Sequence, residues 1–268
     1  AGLIRVREFT MADSYTLDRN EAGMIEQYKA HYDTYKRIFT RCDVPFHIVE
    51  SDTGDMGGSG AHEYMYPTEI GEDTIIQCAS CGYEANQQIA QFSRSRKTDS
   101  HAPSSPQVAI PAIEKVHTPE CRTIEELASF LDVPARQCAK AVFLSVEFES
   151  DTLVIVMLPG DREVNEYKLA RILREAGGTS RTMRQATEEE ILACGAVPGY
   201  GSPIGTHDTF VIADIGLEST QDMIAGANEE GYHFTRVNFP GDFNADVVAD
   251  IANAQSGDTC SECGGALT

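Results

Sequence analysis

The sequence has no run of about 18 apolar residues, the length a helix needs to cross a bilayer, so nothing in its 268 residues reads as a membrane span. It also lacks an export pattern. AGLIRVREFT has neither a charged start followed by an apolar stretch nor an initiator Met, so the chain is expected to be a piece of something longer. Positive charge is scarce: 21 Lys and Arg stand against 42 Asp and Glu, a formal net charge of −21. Each phosphate contact needs local positive charge, so this balance disfavours a protein that grips nucleic acid through general electrostatics. What is present is a globular composition, 41% hydrophobic, sufficient for one large domain or two of ordinary size.

The eight cysteines divide into two groups. Cys78 with Cys81 and Cys260 with Cys263 form two units of identical spacing, CASCG and CSECG, while Cys42, Cys121, Cys138 and Cys194 stand alone. Solitary cysteines without an export signal fit a reducing compartment, and a cytoplasmic location is expected.

The segment from Gly2 to Thr10 reads as a strand that places Arg5, Arg7, Phe9 and Met11 on one face. Two guanidinium groups beside an aromatic ring can bind phosphate and stack a purine; a plain strand with a solvated charge pair is the alternative. Asp18 with Glu21 reads as a capping box, and Met24, Tyr28, Tyr32, Tyr35 and Phe39 recur at the spacing of one helix face. PFHIVES, EYMYPT and DTIIQC read as short strands, and SDTGDMGGSGAH as a glycine-shaped loop, giving an antiparallel sheet with one covering helix. The Ser- and Pro-rich stretch from Ser93 to Pro111 has linker composition. Beyond it, Thr123 with Glu126 and Thr187 with Glu190 form further capping boxes. AVFLSVEF, LVIVML, FVIAD and YHFTRV read as strands, LVIVML being apolar throughout and so central, and a helix is expected from about Glu163 to Leu173. The expected organisation is 1–92, a linker at 93–111, a compact α+β unit at 112–256, and a return segment at 257–268 that carries the second cysteine unit.

In each CxxCG unit two thiolates can converge on one tetrahedral ion, and the trailing glycine permits the tight turn. Cys78, Cys81, Cys260 and Cys263 together supply the four ligands of a closed structural zinc site. An ordinary zinc ribbon separates its pairs by about 15–20 residues. Here 178 residues lie between Cys81 and Cys260, so one shared ion would make the whole second unit an insertion on a metal-clamped base. A disulfide, a redox CxxC and simple persistent thiols are the other readings. Redox pairs sit at a helix N-terminus, and neither unit precedes a clear helix.

GLIRVREFTMADSYTLD, the helix after it, SDTGDMGGSGAHEY and CGYEAN together resemble the second half of motif 2 and the downstream catalytic core of bacterial prolyl-tRNA synthetases, which are class II aminoacyl-tRNA synthetases. The likeness runs from residue 2 to about 90 in matching order, and REF with the GGS-x-x-HE loop carries its specificity. It implies a class II antiparallel-sheet core in which Phe9 stacks on the adenine of ATP and Arg5 and Glu8 support the nucleotide, with Mg2+ in the intact enzyme. Met11, Asp13 and Tyr15 would approach proline, and Gly57, Gly58, Ser59, His62 and Glu63 would close its pocket. Ala61 and Tyr64 replace the Ser and Phe common in the family. The FRxE strand of motif 2, motif 1, motif 3 and an anticodon-binding domain have no counterpart, so this chain alone is not expected to activate proline.

Residues 112–256 resemble the editing insertion of the same family and its free-standing YbaK-type relatives, through VHTPECRTIEEL, CAKAVFL, LPGDREVNEYKL, PGYGSP and the spacing from VIADIG to AGANEEGYHF. The implied chemistry is hydrolysis of alanine from mischarged tRNA(Pro), assisted by a tRNA hydroxyl and without a catalytic metal. By position, Lys140 would lie beside the terminal adenosine and its phosphate, and Gly199, Gly201 and Pro203 belong to a GxxxP loop that orients the ester. Asp214 and His233 would line the aminoacyl pocket, and Asp161 and Asn165 belong to a GDxxxN turn. Each has a plainer reading: Lys140 as a surface residue, His233 as a satisfied core residue, Asp214 as a helix cap, the glycines as turns. The resemblance further implies tRNA(Pro), proline and ATP as partners and a homodimeric parent. A stand-alone deacylase and a non-catalytic zinc-stabilised binding module are the competing functions. Acidity is concentrated after residue 111, with 11 basic and 26 acidic groups against 10 and 16 before it, and an editing domain need only receive the tRNA's CCA end.

Overall fold

The computed structural model describes residues 6–53, 58, 60–93 and 112–268. In chain order its elements are α1 (Glu21–Arg41), β1 (His47–Ser51), β2 (Ala61–Met65), β3 (Ile75–Gln77), β4 (Glu84–Asn86), β5 (Phe92–Ser93), β6 (Glu114–His117), α2 (Ile124–Leu131), β7 (Ala139–Glu147) and β8 (Asp151–Pro159). They continue with α3 (Glu166–Glu175), β9 (Thr179–Gln185), α4 (Glu188–Ala193), β10 (Thr209–Asp214), β11 (Met223–Gly226), β12 (Tyr232–Val237), β13 (Val247–Ala249) and β14 (Thr259–Cys260). The class is mixed α+β. Two compact units divide the chain: Ala1–Ile48 with Tyr64–Gly71, and Val49–Glu63 with Glu72–Thr268.

In the first unit α1 forms where the helical period was read. Its aromatic stripe gathers Tyr35 and Phe39 around Tyr64 and Phe46, with ring centroids 5.4–5.8 Å apart at Tyr64. The cap differs from the expected Asp18–Glu21 box. Asn20 is the N-cap, its side chain accepting from Gly23 N at 2.9 Å, and Glu21 is already the first helical residue. The expected first strand is also corrected. Residues 6–10 form no strand, and Phe9 and Met11 are well exposed; its remaining residues, Arg5 among them, lie outside the described ones. The alternation of arginine with apolar residues supplied a pattern, but a strand needs a hydrogen-bonded neighbour.

A small sheet runs in the order β2-β1-β4-β3. It is mixed, not antiparallel as expected: β1 pairs parallel to β4 through Glu50 and Ala85, while β3 and β4 are antiparallel.

The larger sheet runs β13-β10-β8-β7-β9, with β8 central as its apolar composition required. Alternation divides its side chains between two cores. Ile155 and Met157 of β8 and Phe143 of β7 face a core completed by Met223, Ala225 and Val237 of β11 and β12. Val154 and Val156 with Leu144 and Val146 face the opposite core, where α3 contributes Leu169, Ile172 and Leu173. The three-stranded sheet β11-β12-β6 covers the first face. Helix α3 is capped by Asn165, whose side chain accepts from Tyr167 N and Lys168 N; both threonine capping boxes are present, at Thr123 and Thr187.

Ile155 has no exposed surface. Truncation to Ala leaves a void at the centre of the sheet and is expected to lower unfolding free energy by about 2–5 kcal/mol, read from denaturant midpoints at unchanged slope.

Candidate functional site

The loop from Gly199 to Ile204 and the strand β12 build one constellation. Gly226, at the end of β11, pairs with His233 and backs directly onto the loop: a Cβ there would lie 2.2 Å from Tyr200 O. A Cβ on Gly201 would meet the Phe143 ring at 2.6 Å, and Gly199 sits at φ +80° against the Arg122 stem. Asn228 locks the loop. In the left-handed region at φ +52°, its backbone N donates to Tyr200 O at 2.9 Å. Its side chain accepts from Ser202 N at 2.9 Å and donates to Ser202 O at 3.1 Å and Ile204 O at 2.7 Å. Among the described residues the N–H groups of Gly199 and Gly201 take no partner, which leaves two donors on a fixed backbone.

His233 is buried beside this loop, its ring 5.5 Å from that of Tyr200. Nδ1 shares a 2.6 Å hydrogen bond with the Oγ1 of Thr118, itself fully buried, so Nε2 is the ring nitrogen left for a ligand. Burial pushes the imidazole down to about 4. At neutral pH it is therefore uncharged, a hydrogen-bonding group and not a reservoir of protons. Arg122 lies over the Tyr200 ring at 6.0 Å and pairs with Glu230 at 3.1 Å.

The second constellation is the cysteine cluster. The Sγ atoms of Cys78, Cys81, Cys260 and Cys263 all lie within 4.8 Å of one another. Cys78 and Cys263 are 3.6 Å apart and Cys81 and Cys260 3.8 Å. A zinc tetrahedron with 2.3 Å Zn–S bonds has edges of about 3.8 Å, so the donors fit that ion. The two units are built alike. Gly82 N donates to Cys78 O at 2.9 Å and Gly264 N to Cys260 O at 3.0 Å, with φ +78° and +76° at the glycines. Cys78 N donates to Tyr83 O and Cys260 N to Gly265 O. The backbone N–H of Cys81 leads in drawing the Cys78 thiol down to about 6. Against the pull of the Tyr83 N–H, burial and the thiols of Cys263, Cys78 and Cys260 push Cys81 up to about 12. Thiolates are the form that binds a metal ion, so a cation among these sulfurs would favour their deprotonation.

Residues 118–239 match the family model of the aminoacyl-tRNA editing domain. Over the full chain, the proline-tRNA ligase of Salinispora tropica is 43% identical, and over 98% of it that of Dehalococcoides mccartyi is 37% identical. The chain spans 44% of the length of both relatives. Residues 118–239 therefore carry the likeness to an aminoacyl-tRNA editing domain, and the chain as a whole is similar to a part of proline-tRNA ligases.

Within that editing segment the structure brings the loop Gly199–Pro203 together with His233, and adds Thr118, Arg122 and Asn228, which the sequence reading did not single out. The signal for Asn228 was a polar residue between a strand and the glycine-ended turn EEG, where a positive φ is common.

The other editing-domain residues lie elsewhere. Lys140 alternates with Val142 and Leu144, on the face of the sheet that α3 covers, and its Nζ pairs with Glu163 at 2.7 Å. Fully buried Asp214 accepts from Gly216 N at 2.8 Å and Ile251 N at 3.1 Å, the capping role that was its plainer reading. Asn165 caps α3 and donates to Gln87 O at 3.1 Å, while Asp161 lies 4.0 Å from Arg162.

Of the residues expected to serve ATP and proline, Tyr15 donates to Asp13 at 3.3 Å in an exposed segment with Glu8, Phe9 and Met11. His62 and Glu63 lie on β2, and Gly58 has φ +118°. Gly57 and Ser59, like Arg5, fall outside the described residues.

Two outcomes follow for this site. His233 has a folded value of about 4 against an ordinary 6.5, so the unfolded chain binds the extra proton between them. Its stabilising contribution is complete above pH 6.5 and is lost as pH falls toward 4; denaturant titrations across that range should show the slope shrinking in His233→Gln. Asn228→Ala leaves Ser202 N and two carbonyls without partners and should cost about 1–3 kcal/mol by the same measurement.

Proposed function

We propose that the intact protein attaches proline to tRNA(Pro) at the expense of ATP, and that the inserted domain hydrolyses alanine mischarged onto that tRNA. The observation that carries the editing part is the fixed loop at Gly199–Pro203 beside neutral, buried His233, inside the segment that matches the editing-domain model.

In this reading the uncommitted N–H groups of Gly199 and Gly201 orient the ester carbonyl, and His233 holds a polar atom of the aminoacyl-adenosine through Nε2. Water adds to the carbonyl and the bond to the ribose 3′ oxygen breaks, releasing alanine and a free 3′ hydroxyl. The tight backing of the loop by Gly226 and Phe143 supports selection for a small side chain, since the loop cannot retreat to admit a proline ring. A role for Lys140 beside the terminal adenosine and one for Asp214 lining the aminoacyl pocket belong to the same proposal; Asp161 and Asn165, first expected at the substrate, belong to a turn that bonds to the neighbouring segment.

For the remainder we propose a class II catalytic core at 1–92, a linker at 93–111, an editing domain of YbaK type at 112–256 and a return to the core at 257–268. Arg5, Glu8 and Phe9 would serve ATP with Mg2+. Met11, Asp13, Tyr15, Gly57, Gly58, Ser59, His62 and Glu63 would serve proline. The relatives' name and the likeness over the whole chain support this assignment. The parent is proposed to act in the cytoplasm as a homodimer. The four cysteines would hold a structural Zn2+, which supplies cross-linking and no chemistry; the convergence of their sulfurs supports it. No helix among the described residues is long and apolar enough to cross a membrane.

The test is deacylation by the 268-residue chain of alanyl-tRNA(Pro), with prolyl-tRNA(Pro) as the control. Hydrolysis of the alanyl ester alone is expected, and His233→Ala should lower kcat/KM by roughly 10²-fold, the scale of one lost transition-state hydrogen bond. Equal hydrolysis of both esters, or an unchanged rate in the variant, would remove this pocket from the reaction.

A further inference from the structure

The inserted segment leaves the base at β5 and comes back at β14, and these two strands pair with each other through Phe92 and Cys260. The cysteine cluster thus stands at a neck. Further bonds close the same place, and they come from the GDREVN turn and the start of α3. Arg162 forks onto Asp258 at 2.7 and 2.6 Å, with the pair mostly buried and the guanidinium 5.0 Å from the Phe92 ring. Lys168, also buried, reaches Asp250 at 2.9 Å and Ala252 O at 3.0 Å. Asn165 donates to Gln87 O, and Gln87 in turn donates to Ala254 O at 3.0 Å. Phe92, Ala252, Ala254 and Cys260 share one small core with Cys78.

We propose that this neck is a metal-keyed lock, in which Zn2+ on the four thiolates keeps β5 and β14 paired and the turn Asp161–Asn165 clasps the inserted domain to that base instead of touching substrate. The core beneath is small, so the two β-strands, of two residues each, have little apolar burial to hold them. Ligation of one ion by residues that far apart in sequence closes the long loop and fixes both crossings at once. Arg162 adds a directional second closure, because a bidentate guanidinium tolerates little rotation against its carboxylate. The inference rests on the zinc reading of the cysteines and adds what the ion does.

The experiment uses the whole chain in three states: as isolated, stripped with a mercurial and chelator, and reloaded with zinc. Metal is measured by mass spectrometry and amide exchange is followed peptide by peptide. One zinc per chain is expected. Stripping should speed exchange in β5, β14 and the turn at 160–165 at least about tenfold, reloading should restore it, and β7, β8 and β10 should be unaffected. Arg162→Ala should keep its zinc and lose protection in the 160–165 turn alone, also by about tenfold, with alanyl-tRNA(Pro) hydrolysis retained. A chain that carries no zinc and binds no cobalt, or that holds disulfides between these cysteines, overturns the zinc reading and the lock together. Zinc bound in full with unchanged neck exchange after stripping overturns the lock and leaves the zinc reading standing. Loss of hydrolysis in Arg162→Ala with neck protection intact would return the turn to the substrate site.

Discussion

Strand β8 cannot show either face to water. Val154 through Leu158 are all fully buried, so the chain must supply cover on both sides. On one side the cover is the small sheet β11-β12-β6, and on the other it is α3. That requirement divides the residues singled out in the sequence. Gly201 and His233 belong to the side roofed by the small sheet, where two backbone segments press together. Lys140 and Asn165 belong to the side roofed by α3, where the domain meets its base.

The side that holds the glycine loop gains its rigidity from hydrogen-bond satisfaction. A loop of two glycines and a proline has little side-chain packing of its own, and Asn228 supplies what packing does not. Each polar atom of that amide has a backbone partner in the loop. His233 is set by the same logic: Thr118 takes one ring nitrogen, and burial keeps the ring neutral. On the base side, charge does the corresponding work. Arg162 and Lys168 are among only 21 basic residues of the chain, and both are spent on carboxylates and carbonyls at the neck. These two cations are therefore committed to the fold and add nothing to a general grip on nucleic acid.

How much was legible depended on range. The boxes at Thr123 and Thr187 were readable because a cap is a contact between residues three apart, and the long apolar run of β8 announced its central place. The start of α1 was not, because Asp18 and Asn20 both suit a cap and only the helix's register chooses between them. The parallel pairing of β1 with β4 was hidden for a related reason: strand patterns carry no direction. Asp161 and Asn165 carried a motif, but a motif does not say whether its side chains turn toward a pocket or a neighbouring segment.

By itself the sequence determined the duplicated CxxCG turns, the capping boxes at Thr123 and Thr187, the central strand and the likeness to proline-tRNA ligases, since each rests on short spacings or on ordered matches along the chain. The glycines after the second cysteines had to take a positive φ for the knuckles to close, and both do. Only the tertiary structure decided that the two knuckles meet, that Thr118 bonds to His233 and Asn228 to the glycine loop, and that Asp214 is spent on the backbone N–H groups of Gly216 and Ile251. The reason is physical: these outcomes depend on which face of a shared sheet a side chain occupies and on what distant segment comes to cover it, and both follow from burial summed over the whole domain.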